Sequence, residues 1–132
     1  MDLATIFTFS EKDIHLLQKV KERIVRIRAI TLDRNGYKDD PGVTAYIVCE
    51  VLPRILTELE YAEGYYCNIP HCWVKTATGN IIDPLPVCSY EPVLLSSRCE
   101  ATRTMYKPHK LYMRGVHNAG LIDELERALL VF

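Results

Sequence analysis

Apolar residues recur at helical spacing along the first third of the chain. Ile14, Leu17, Val20, Ile24 and Ile27 fall three and four residues apart, which puts them on one face of a helix reaching Arg28. Ser10-Glu11-Lys12-Asp13 precedes the run as a capping box, with Ser10 as the cap and Asp13 at the third helical position. Asp33-Arg34-Asn35-Gly36 and Asp39-Asp40-Pro41-Gly42 carry turn chemistry, so residues 33–42 read as a loop. A second helix is expected from Val43 to Leu52. There Val43, Ala45, Tyr46, Ile47, Val48, Cys49, Val51 and Leu52 leave almost no polar face, the pattern of a rod buried on all sides. Pro53 has no backbone N–H to donate, so it should kink or end that helix, with Arg54 to Glu58 continuing beyond the kink.

The middle of the chain changes character. Tyr61 to Cys67 is rich in aromatic residues and reads as a strand, with Gly64 marking a bulge or a close backbone approach. His71 to Thr76 reads as the next strand, Ala77-Thr78-Gly79-Asn80 as a turn, and Ile81-Ile82-Asp83 as the returning arm before Pro84 ends the pairing. Val93 to Leu95 and Lys110 to Arg114 are two further short strand candidates. A final helix is expected from Ala119 to Val131, capped by Asn118, with Leu121, Ile122, Leu125 and Leu129 facing inward. Helix, helix, sheet and helix in that order make an α+β fold, and 132 residues make a single domain over residues 1–132.

Charge excludes some partners. Lys and Arg total 16 against 17 Asp and Glu, a net charge of -1, so no basic excess exists for a nucleic acid. Lys19, Lys21, Arg23, Arg26 and Arg28 do gather on the first helix, where they read as a solvated face. Apolar runs are too short for a membrane span, and Met1-Asp2-Leu3-Ala4 lacks the pattern of a signal peptide, so a cytoplasmic setting is expected. Five cysteines, an odd number, then read as reduced thiols rather than a disulfide framework. The glycines are isolated, which argues against a phosphate-cradling loop.

Candidate chemistry concentrates at His71 and Asp83, twelve residues apart on the two arms of the expected hairpin. An odd loop centred near Ala77 or Thr78 would turn both side chains to one face, and a carboxylate there can hold an imidazole in one tautomer. Zinc is a competing reading: Cys67, His71, Cys72 and Cys88 are four soft ligands. Against it, adjacent His71 and Cys72 diverge on a strand, and no Cys-x-x-Cys pair is present, so no metal is expected. Asn35 and Asn80 can shape an oxyanion site but usually serve turns, and His109 and His117 read as surface residues.

Glu63-Gly64-Tyr65, His71-Cys72-Trp73-Val74 and Gly79-Asn80-Ile81-Ile82-Asp83-Pro84 together resemble the transglutaminase-like, papain-fold superfamily. The resemblance covers residues 42–86. It implies a papain-type core, with a central helix packed on a small antiparallel sheet. It also implies acyl hydrolysis or transfer on an amide through a cysteine thioester without a cofactor, on a peptide or protein substrate. His71 would be the base and Asp83 its orienting partner. The superfamily's cysteine opens the central helix, and the corresponding count reaches Thr44 or Ala45 instead. Three readings stay open. Cys49 is the nucleophile on a shifted helix start; the site is dead or uses Thr44; or Ala45 stands where a cysteine has been replaced. Tyr46, Tyr65 and Trp73 are the substrate-binding candidates. The other class of function is a catalytically silent module that holds a peptide or protein partner in the same cleft with Tyr46, Tyr61, Tyr65 and Tyr66.

Overall fold

The computed structural model describes residues 9–35, 41–87, 91–116 and 119–130, without the side chains of 31–35 and 41–44. Helix α1 spans Glu11–Asn35 and α2 spans Pro41–Ile55. Strands β1 (Glu60–Tyr66), β2 (Ile69–Lys75), β3 (Ile81–Asp83) and β4 (Val93–Leu95) follow. A short helix α3 (Glu100–Met105) leads directly into β5 (Tyr106–Pro108), and α4 (Ala119–Leu130) comes last. The chain is α+β, and the five strands pair antiparallel in the order β4-β3-β2-β1-β5.

Ser10 caps α1 as expected, its Oγ accepting from Asp13 N at 3.1 Å. Asp13 does not complete the capping box. Its buried carboxylate turns to the β2–β3 loop, where Oδ2 accepts from Thr76 Oγ1 at 3.2 Å, Thr78 Oγ1 at 2.5 Å and Asn80 Nδ2 at 2.9 Å. Inward positions on α1 are therefore Asp13, Leu16, Val20, Ile24 and Ile27, and Ile14 is 53% exposed, contrary to its expected inward place. The helix also continues past Arg28 through the turn-forming Asp33-Arg34-Asn35. Pro53 lies inside α2 without ending it; Leu56 N still donates to Leu52 O at 2.8 Å. Every residue from Ala45 to Leu52 is buried, as the sequence pattern anticipates.

The sheet separates two clusters. On one face Cys72, Val74 and Ile82, with Tyr61 and Leu94, join α2, α1 and the Leu121, Ile122, Leu125 and Leu129 face of α4. On the other, Trp73, Ile81 and Tyr106 pack with Ala62, Tyr66, Leu95 and Met105. The Cys67-Asn68 turn joining β1 to β2 has φ of 47° and 68°, the paired left-handed geometry that matches a two-residue hairpin to strand twist. Gly64 answers to β5: a Cβ there would stand 2.1 Å from the Lys107 carbonyl oxygen, so no side chain fits while the strands pair. The expected strand at Lys110 to Arg114 is not formed. Pairing instead uses Tyr106–Pro108, because Pro108 has no N–H to continue a ladder and the chain leaves the sheet after it. Asn118 and Val131, expected at the ends of α4, lie outside the described residues.

Candidate functional site

Val74 pairs with Ile82, and Lys75 with Ile81, so the β2–β3 loop is centred on Thr78. That register sets Asp83 opposite Trp73 and makes His71 its diagonal neighbour on the same face. His71 Nε2 and Asp83 Oδ2 are 2.8 Å apart, with His71 6% exposed and Asp83 fully buried. Asp83 Oδ2 also accepts from Tyr106 OH at 2.8 Å, while Oδ1 accepts from Leu85 N at 3.2 Å. Three donors thus converge on one carboxylate in a dry setting, where each hydrogen bond is strengthened and none can be lost cheaply. Burial, and then the Asp83 charge, push the Tyr106 hydroxyl far above its ordinary range, so it stays a donor.

Aromatic rings wall the pair. Tyr66 meets His71 edge-on with centroids 6.1 Å apart, and Trp73 stands at 6.4 Å from the imidazole and 5.2 Å from Tyr106. Trp73 is therefore a core residue under the site rather than a surface for substrate. Tyr46 is buried on α2, and burial, with Cys72, Glu63 and Cys49 nearby, pushes its hydroxyl up to about 12. Tyr65 is half-buried beside His109, ring centroids 5.7 Å apart.

The thiol expected to complete the site lies elsewhere. Cys49 is 1% exposed and shares the α2-side cluster with Cys72. Cys72 follows His71 on β2, so it faces α2 while the imidazole faces away. Burial, reinforced by Cys72 and the Asp83 and Glu50 charges, holds the Cys49 thiol well above its usual range, in the neutral form that is a poor nucleophile. Cys49 therefore does not join His71 and Asp83. Ala45 is buried on the same helix and Thr44 has only its backbone described. Asn80 is committed to Asp13 and to Ser97 N, which it receives on Oδ1 at 3.2 Å, a turn-holding duty rather than an oxyanion one.

For the zinc candidates, Cys67 is exposed at the turn, His71 and Cys72 face opposite ways, and Cys88 lies outside the described residues. No group of three or more His, Cys, Asp or Glu among the described residues is placed to hold a metal ion. No described helix is long and apolar enough to cross a membrane. Tyr106 was not singled out from the sequence, although Pro108 two residues on was a signal for an edge strand and period-two alternation would have turned Tyr106 to the face of Tyr66. Cys99 was missed as well: as the N-cap of α3 its thiol is drawn below the ordinary range, first by the Thr102 N–H and then by Ala101 N–H, with Arg103 adding to the effect. Comparison with protein-family models, with curated proteins and with solved structures finds no match to this chain.

Proposed function

We propose that this chain is a transglutaminase-like, papain-type module that is catalytically silent and binds a peptide or protein segment. One observation carries the reading: the alternation of β2 sends Cys72, and with it Cys49, to the α2 side, and the hydrogen-bonded His71 to the other. Proton-transfer machinery of the superfamily's kind is retained in His71 and Asp83, while Cys49 and Cys72 lie on the α2 side of the sheet. In this reading Asp83 keeps its three donors as a buried structural network, and tyrosines supply contact surface.

Restoring a thiol tests the proposal. Thr44→Cys and, separately, Ala45→Cys would be treated with iodoacetamide at mildly acidic pH, each with and without His71→Ala. Ala45 lies on the α2 side of the sheet with Cys49 and Cys72, away from the imidazole, so both new cysteines should react at the same rate with and without His71. A rate at either position that falls about tenfold or more when His71 is removed would overturn the separation on which the silent reading rests, since a neighbouring imidazolium stabilises the thiolate.

Thiol-dependent acyl hydrolysis or transfer on an amide is the second reading. The 2.8 Å contact between His71 and Asp83 favours it, because that contact holds an imidazole as a general base requires. It needs an attacking thiol beside Nδ1, and Cys49 does not provide one.

A further inference from the structure

Alternation along β1 turns Tyr61, Glu63 and Tyr65 to the α2 side of the sheet. Each tyrosine has a nitrogen-bearing side chain beside it. The Arg114 guanidinium lies over the Tyr61 ring, 5.6 Å from its centre. Lys107 is paired with Tyr65 across the β1–β5 ladder, and the ring centres of His109 and Tyr65 are 5.7 Å apart. Tyr61 and Tyr65 are half-buried, whereas Lys107, His109, Lys110 and Arg114 are all exposed. The edge strand and the residues after it thus set basic groups along two aromatic rings.

Carboxylates on this side are spent on other donors. Glu63 accepts from Tyr61 OH at 2.8 Å, from Met113 N at 3.3 Å and from Leu111 N, and the buried Glu50 accepts from Gly115 N. Among the described residues no carboxylate lies within ion-pair distance of Lys107, Lys110 or Arg114. Positive charge is also concentrated here. From Arg98 to Arg114 five basic residues stand against one acidic residue, Glu100, in a chain of net charge -1. Tyr112, between Lys110 and Arg114, keeps an unfavourable left-handed φ of 58° while standing 78% exposed, so packing within the chain does not account for its strain.

We infer that Lys107, His109, Lys110 and Arg114, with the rings of Tyr61 and Tyr65, form the surface on which this module receives its partner, and that the partner is an acidic peptide segment. The inference rests on the binding-module reading and names the chemistry of what is bound. Carboxylates of the partner pair with the two lysines and with the forked Arg114 guanidinium, and its apolar atoms lie on the tyrosine rings. Single exposed ion pairs are weak, so several act together and the affinity falls with salt. The patch is also short. Exposed Glu58 and Glu60 stand just before Tyr61, where a nucleic-acid strand running on past the lysines would meet like charge. A segment with a few carboxylates matches such a patch better than a continuous phosphate backbone does.

A capped peptide of alternating Glu and Ala serves as the probe, titrated at low salt into the isotope-labelled full chain with amide shifts followed by NMR. Shift changes should gather at Lys107, His109, Lys110 and Arg114. Replacing Lys107, Lys110 and Arg114 together by Gln should weaken binding about fivefold or more, as should replacing every Glu of the peptide by Gln. Lys19→Gln with Lys21→Gln, on the basic side of α1, should leave the affinity unchanged. Should the triple variant fail to fold, Lys107→Gln with Lys110→Gln carries the same test at two exposed positions. No binding of the Glu-Ala peptide, shift changes centred on α1, or an affinity unaltered by the lysine replacements overturns the inference. Tighter binding of an oligothymidylate than of the peptide at the same salt overturns it too, in favour of a nucleic acid. None of these outcomes touches the thiol-restoration experiment, so the acidic partner and the silent half-site stand or fall separately.

Discussion

The two faces of the sheet are both buried, yet they hold different chemistry. Toward α2 lie Cys72, Val74 and Ile82 with Cys49, an apolar interior where burial pushes the Cys49 thiol up. On the far face lie His71, Asp83 and Tyr106 among aromatic rings, a polar network with each Asp83 oxygen occupied. His71 and Cys72 are adjacent in sequence and opposed in space. The lesson is that residue types suited to one reaction do not make a site unless strand alternation delivers them to one side.

The comparison is broken most severely on the polar face. Asp83→Ala strands three donors, one of them an imidazole, and should cost about 3–5 kcal/mol in urea unfolding. Trp73→Ala, which empties the ring cluster below them, belongs in the same range of about 3–5 kcal/mol. A loss under about 1 kcal/mol for Asp83→Ala would mean that the network is not a buried, satisfied one. On the α2 face the counterpart is milder: Cys72→Ala removes one small apolar atom group and should cost about 1 kcal/mol.

Thiol reactivity sharpens the contrast. Cys99 sits at the N-terminus of α3, where nearby Thr102 and Ala101 backbone N–H groups lower its thiol below the ordinary range although it makes no cap hydrogen bond, so its alkylation should persist as pH falls below the ordinary thiol value of about 8.5. Cys49 is shifted the other way and should stay protonated and unreactive at pH 8 until the chain unfolds. Peptide mapping after partial alkylation across pH would show the reverse order if the assignment of the faces were wrong. The smallest effect belongs to the clamp between α1 and the hairpin. Thr78→Ala removes one of three donors to Asp13 and should cost about 1 kcal/mol.

Much of this architecture was legible in the residues. Apolarity from Ala45 to Leu52, broken only by Glu50, announced a rod enclosed on all sides, and the spacing around Thr78 fixed which face His71 and Asp83 would share. Less was legible where tertiary contacts overrule local preference. Asp33 and Asn35 favour turns but finish α1, and Asp13, apt for a capping box, is drawn off by Thr76, Thr78 and Asn80 some sixty residues away. The chain beyond β4 hid its organisation for a related reason: β5 is three residues long, and Leu111, Met113 and Gly115 after it donate to the carboxylates of Glu63 and Glu50 on distant elements rather than to a ladder. Helical position alone does not reveal which strand residue stands beneath Cys49, and the structure sets Cys72 there rather than His71.

The separation of thiol and imidazole can be measured directly. Native wild-type chain and His71→Ala would be exposed to iodoacetamide at mildly acidic pH, and the labelling rate of Cys49 followed by mass spectrometry. Slow, equal rates in the two proteins are expected, since His71 faces away from the side on which Cys49 meets Cys72. Rapid labelling of Cys49 that disappears with His71 would contradict the account and restore the acyl-transfer reading.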